Sequence, residues 1–151
     1  MTGSHETKAA AMISAPPPAA LTDPSTLMIV SAPESIKTAR DFARDWLDAK
    51  GYEREAVGVA LLVINELVTN AHKHGSAPGE VISVRLYLSA VGPVVEVRDG
   101  SDAEPRALPL TLDRFSGRGL AIVSELTKAW GFRPLASGGK AVYAVLNGGA
   151  A

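Results

Sequence analysis

The chain has 151 residues, 46% apolar and 21% charged, with 15 Lys and Arg against 16 Asp and Glu for a net charge of -1. That is one domain of ordinary globular composition, which excludes a wholly disordered chain and offers no general electrostatic pull toward nucleic acid. The absence of cysteine excludes disulfides, Cys-ligated zinc and thiol catalysis, and without a membrane-length apolar run or a secretion signal the expectation is a cytoplasmic protein that contacts neither membrane nor nucleic acid.

Residues 1–25 hold Ala9-Ala10-Ala11 and Ala15-Pro16-Pro17-Pro18-Ala19-Ala20. Three consecutive prolines remove backbone donors and fix φ, so a disordered tail is expected there. Residues 26–147 form the expected domain, and residues 148–151 a frayed end. Leu27-Met28-Ile29-Val30 reads as a strand. Pro33 and Glu34 suit the first turn of a helix in which Ile36, Ala39, Ala43, Trp46 and Leu47 recur at helical spacing, and Gly51 stops it. A second helix is expected from about Arg54 to His74, with Val57, Leu61, Ile64, Leu67, Val68 and Ala71 as its apolar stripe and Gly75 as its end.

Val81 to Leu88 alternates, which puts Ile82, Val84, Leu86 and Leu88 on one face and Ser83, Arg85 and Tyr87 on the other. Gly92-Pro93 reads as a turn before a strand over Val94–Asp99. The stretch from Gly100 to about Ser116 is longer than most loops in compact domains, which suggests function or mobility. Leu120 to Trp130 reads as a helix, and Phe132–Leu135 with Ala141–Leu146 as a hairpin around Ser137-Gly138-Gly139. The expected fold is therefore α+β, a two-layer sandwich whose mixed, mostly antiparallel sheet carries helices on one face.

Three segments carry chemistry. In Glu66-Leu67-Val68-Thr69-Asn70-Ala71-His72-Lys73-His74-Gly75, the residues Glu66, Asn70 and His74 are four apart and share a helix face. An amide oxygen is a hard ligand suited to Mg²⁺, and a carboxylate one turn away can orient or deprotonate a nucleophile. Zinc chelation by His72 and His74 is excluded, since residues two apart on a helix diverge. In Val97-Arg98-Asp99-Gly100-Ser101 a strand ends on a carboxylate, which can accept from an exocyclic amine such as that of adenine. In Ser116-Gly117-Arg118-Gly119-Leu120 glycines precede a helix, where backbone N–H groups can meet phosphate oxygens. Each pattern is common alone; no P-loop motif is present, and the position excludes a Rossmann fingerprint.

Together the three resemble the gyrase, chaperone, histidine-kinase and mismatch-repair (GHKL, Bergerat-fold) ATPases over roughly residues 27–146. Glu66-x-x-x-Asn70 resembles the N box, Asp99-Gly100 the first glycine box and Gly117-Arg118-Gly119-Leu120 the second. Within that superfamily the chain looks most like the small anti-sigma-factor serine kinases and their actinobacterial regulatory relatives. The resemblance implies ATP and Mg²⁺ as cofactors, with Asn70 binding the metal, Glu66 as catalytic base and Asp99-Gly100 at the adenine. It has Gly117, Arg118 and Gly119 meet the phosphates from a mobile lid formed by residues 100–117, with Leu120 also in the nucleotide site. Lys73, His74 and Arg114 join the nucleotide site, with Lys73, Arg114 and Arg118 as candidate cations. The implied partners are a sigma factor, a STAS-domain anti-anti-sigma factor phosphorylated on serine, and a second copy of the chain. Ser101 and Ala103 stand where the first glycine box usually has glycines, and Ala141 where the last strand often offers a threonine near the adenine. These departures imply modest nucleotide affinity, and they motivate a second function on the same fold, a protein clamp with little or no catalysis. A histidine-kinase catalytic fragment is disfavoured, because no dimerisation helix with an acceptor histidine is apparent.

Overall fold

The computed structural model describes residues 12–13, 16–101 and 118–147. The strands are β1 (Met12–Ile13), β2 (Ser25–Val30), β3 (Val81–Ser89), β4 (Gly92–Asp99), β5 (Thr127–Pro134) and β6 (Lys140–Leu146). The helices are α1 (Ser35–Ala49), α2 (Arg54–Asn70) and α3 (Arg118–Leu126). The sheet order is β1-β5-β6-β4-β3-β2, with β1 parallel to β5 and every other pair antiparallel. The helices bury their apolar stripes against one face of this sheet, so the α+β two-layer architecture stands. No helix among the described residues is long and apolar enough to cross a membrane.

Local chemistry explains most boundaries. α1 ends because Gly51 takes φ 83°, and the Gly51 and Tyr52 N–H groups then bond Asp48 O at 3.0 Å and Leu47 O at 3.3 Å. That is the paired hydrogen bonding of a Schellman cap, which needs a left-handed residue. α2 starts after extended Glu53, carries Glu55 in its first turn and buries Val57, Ala60, Leu61, Val63, Ile64, Leu67 and Val68.

Several expectations need correction. The third helix stops at Leu126, and Thr127–Trp130 belong to β5. The apolar spacing continues, but Thr127 turns its hydroxyl back onto Val123 O at 2.8 Å, and Trp130 is fully buried with its indole N–H on Ser124 Oγ at 2.7 Å. Pairing with β6 along Thr127–Pro134 satisfies the backbone that the helix would otherwise have claimed. The turn before β4 is Ala90-Val91, and Gly92 and Pro93 already pair with Ser89 and Leu88. In β3 the alternation breaks after Leu86. Tyr87 is buried with Val94, Tyr143 and Val145 in a second cluster on the outer sheet face, while Leu88 is only half-buried.

The described part of the N-terminal stretch lies over that outer face. The Tyr87 hydroxyl donates to Pro18 O at 2.7 Å, and Leu21 N–H donates to Leu88 O at 2.8 Å. The prolines interrupt the ladder, as fixed φ and missing donors require, but the chain on either side is pinned.

Candidate functional site

α2 carries Glu66 and Asn70 one turn apart, both half-buried. Beyond Asn70 the helix is not α: Ala71–Gly75 form one π turn. The expected helix to His74 is thus correct in extent and wrong in its last turn. A π turn widens the spiral and is frequent at functional sites. It leaves Lys73 and His74 exposed and buries Ala71 and Gly75, so His74 does not continue the half-buried Glu66–Asn70 row. His72 ties the turn to the end of β2, its Nδ1 lying 2.8 Å from Ser31 Oγ. Pro78 and Gly79 then turn the chain into β3, with Gly79 at φ 85° and Glu80 N–H on Ala77 O at 3.0 Å. A proline followed by a positive-φ glycine is the type II arrangement.

Asp99, the last residue of β4, is opposite Lys140. Its Oδ1 accepts from Lys140 Nζ at 3.0 Å and from Ser101 N–H at 2.8 Å. The two side chains are only 2% and 5% exposed. Two glycines pack against Asp99. A Cβ on Gly75 would occupy the space of the Asp99 carboxylate, and one on Gly139, which has φ 84°, would strike the Asp99 carbonyl oxygen. Burial pushes the Asp99 carboxyl above the usual carboxylate range; the Ser101 N–H and Lys140 oppose that shift, and Glu80 adds to it. A recessed carboxylate of this kind is suited to accept from a neutral N–H donor.

Glu66 has an ordered neighbour. Arg40 Nη1 donates to Asn65 Oδ1 at 2.8 Å, and the Asn65 amide N–H group lies 3.5 Å from Glu66 Oε2. Gly100 is exposed just past Asp99, within 4 Å reach of Glu80 Oε1 for an added Cβ. Arg118 and Gly119 open α3, and Leu120 is buried in the core. Arg114, Gly117 and the rest of the expected lid from residue 102 on lie outside the described residues. The structure therefore brings Asp99 and the π turn that follows Asn70 into contact.

The sequence did not single out Lys140, Gly75 or Gly139 as parts of the Asp99 cradle. In the sequence Gly75 reads as a helix stop and Gly139 as part of a hairpin turn. Lys140 heads a strand whose every residue is buried, and a lysine in such a place is a signal that it has a partner. Ala141 does not face this site. It pairs with Arg98 and Arg133, on the outer face, so the side chain beside Asp99 from β6 is Lys140. One buried hydroxyl, Ser76 Oγ next to Gly75, has no hydrogen-bond partner among the described residues. A buried carboxylate, an unpaired buried hydroxyl and a half-buried amide and carboxylate on one helix fit a nucleotide with a sparsely ligated Mg²⁺. Among the described residues no three His, Asp or Glu side chains gather as a metal cluster.

Residues 29–146 match the histidine kinase-like ATPase domain, from inside β2 to the end of β6. The chain belongs to that family. Its Asp99 cradle and its Glu66–Asn70 helix thus sit in an ATP-binding type of domain. None of the curated proteins compared matches the chain. Among solved structures the domain is similar to the crystal structure of the RsbU and RsbW domains of Rv1364c from Mycobacterium tuberculosis, with TM-score 0.63 and 22% identity. That similarity covers 84% of this chain and 33% of the other, and it shows a shared fold.

Proposed function

We propose that this histidine kinase-like ATPase domain is an ATP-dependent serine kinase that binds a sigma factor and phosphorylates a STAS-domain anti-anti-sigma factor, acting as a homodimer. The observation that carries the nucleotide half of this proposal is the Asp99 cradle, packed against the π turn that begins one residue after Asn70. The partner half is supported by the family match and by a solved neighbour that contains an RsbW domain.

In this function Asp99 accepts from the adenine amine, with Gly75 packed against its carboxylate and Gly139 against its backbone carbonyl. Asn70 would hold Mg²⁺, which would supply charge neutralisation at the phosphates. Lys73, His74, Gly100, Arg114, Gly117, Arg118, Gly119 and Leu120 complete the nucleotide site. Glu66 takes the proton from the serine hydroxyl as the serine oxygen bonds the γ-phosphorus; the bond from that phosphorus to the β–γ bridging oxygen breaks, and ADP leaves with the electron pair. Arg40 and Asn65 hold Glu66 in place.

Calorimetric titration with Mg·ATP tests the site. Binding in the micromolar range, about -8 kcal/mol, that Asn70→Ala abolishes and Glu66→Gln retains is the expected result. Phosphoryl transfer to a serine of a STAS-domain protein is expected from the parent and not from Glu66→Gln. Transfer at the parent rate by Glu66→Gln would remove Glu66 from the chemistry, and no binding at millimolar nucleotide would remove the kinase. A second function, a clamp without catalysis, is favoured by one contact: Lys140 already occupies Asp99 Oδ1. A sigma or STAS complex indifferent to ATP would establish it.

A further inference from the structure

The outer face of the sheet carries a charge cluster that the nucleotide site does not use. Glu96 is 1% exposed there, and three arginines converge on it. Arg85 Nη1 is 3.0 Å from Oε1, Arg98 Nε and Nη2 are each 3.2 Å from the same oxygen, and Arg133 Nη2 is 3.4 Å from Oε2. The register builds this grouping: Arg85 is opposite Glu96, while Arg98 and Arg133 flank Ala141 from either side.

The cluster has too few acceptors. Three guanidiniums bring about fifteen N–H donors, and one carboxylate accepts roughly four. Three positive charges face one negative charge, in a chain whose net charge is -1. Arg133 Nε is buried and has no hydrogen-bond partner among the described residues. A cavity of about 220 Å³ opens beside the cluster, lined by Arg85, Glu96, Arg133 and, on its other side, Pro16, Pro17 and Pro18. Its size and its surplus charge suit one small dianion with several acceptor oxygens. The proline segment, held by the Tyr87–Pro18 hydrogen bond, narrows access for a protein chain.

The geometry points to a second ligand site on this face, in which Arg85 and Arg133, the two arginines that line the cavity, bind a tetrahedral oxyanion of the phosphate class under the Pro16–Pro18 segment. It lies on the sheet face opposite the Asp99 cradle and does not depend on the kinase proposal.

The test is an NMR titration of the full chain with inorganic phosphate at constant ionic strength, set by sodium chloride, following the arginine Nε–Hε signals. Saturable shifts of Arg85 and Arg133 are expected, with a dissociation constant in the millimolar range or tighter. Arg85→Gln and Arg133→Gln should each weaken binding about tenfold, the loss of one charge-assisted contact. Glu96→Gln supplies the opposite sign: it frees donors and should tighten binding. If that variant is less stable, phosphate should raise its melting temperature more than the parent's. Shifts that chloride alone reproduces, an unchanged dissociation constant in the Arg85→Gln/Arg133→Gln double variant, or no added phosphate response in Glu96→Gln would each overturn the site.

Discussion

Two glycines on one continuous helical segment should respond in opposite ways to the same methyl group. Gly58 lies within α2, exposed, with nothing within 4 Å of an added Cβ. Alanine there keeps the helical backbone and reduces unfolded-state freedom, a gain of about 0.5–1 kcal/mol. Gly75 closes the π turn, where the added carbon and the Asp99 carboxylate compete for one volume. Neither neighbour can yield cheaply. Gly75 is buried backbone, and the carboxylate is fixed by Ser101 N–H and Lys140. Overpacking of this kind costs about 1–3 kcal/mol. In a domain of this size each kcal/mol moves the melting temperature by about 2–4 °C. Because the carboxylate must rotate or retreat, Gly75→Ala should also weaken Mg·ATP binding by about tenfold or more, the equivalent of about 1.4 kcal/mol, whereas Gly58→Ala should leave it unchanged. Thermal unfolding and calorimetric titration of the two variants measure both effects. A Gly75→Ala protein with the parent's stability and nucleotide affinity would refute the cradle.

Lys140→Met strips Asp99 of its buried partner and should destabilise the fold by about 3 kcal/mol near neutral pH. The folded Asp99 carboxyl titrates above its unfolded value, so its contribution to stability is complete below the ordinary carboxylate pKa and is lost as pH rises through the raised one; the deficit of Lys140→Met should therefore shrink at acid pH, and urea titrations giving equal deficits at pH 4.5 and pH 8 would contradict the pairing. Ser124→Ala leaves the buried Trp130 indole N–H without its acceptor and should cost about 1–3 kcal/mol, read from chemical denaturation followed by tryptophan fluorescence.

Elements defined by local chemistry were legible in the sequence. The end of α1 follows from a glycine that must take positive φ, and the inner face of β3 follows from alternation as far as Leu86. What was not legible depends on pairing across the sheet. Thr127–Trp130 keeps a helical apolar spacing, and only β6 makes it a strand. Alternation puts Tyr87 on the outer face with Ser83 and Arg85, and only its packing with Pro18 and Tyr143 there buries it. At the site, Glu66, Asn70 and Asp99 stand out by residue type and spacing. The Asp99–Lys140 pair joins residues far apart in sequence, and the side to which Ala141 points is fixed by register alone. The π turn has no compositional signal in Ala71-His72-Lys73-His74-Gly75 that separates it from an α-helical end.

The outer sheet face also bears on how the protein should be prepared. Trimming the chain to begin at residue 26, where the sequence pattern first looks like a domain, would delete the Pro18 carbonyl that satisfies Tyr87 and the Leu21 amide that bonds Leu88. It would also remove the β1 strand that pairs with one edge of β5. The trimmed protein would keep the helix-covered core and the Asp99 cradle, yet present water with a tyrosine-lined patch and a bare strand edge. Self-association through that patch or that edge would be a product of the trimming and not the proposed homodimer, so oligomeric state is to be measured on the whole 151-residue chain.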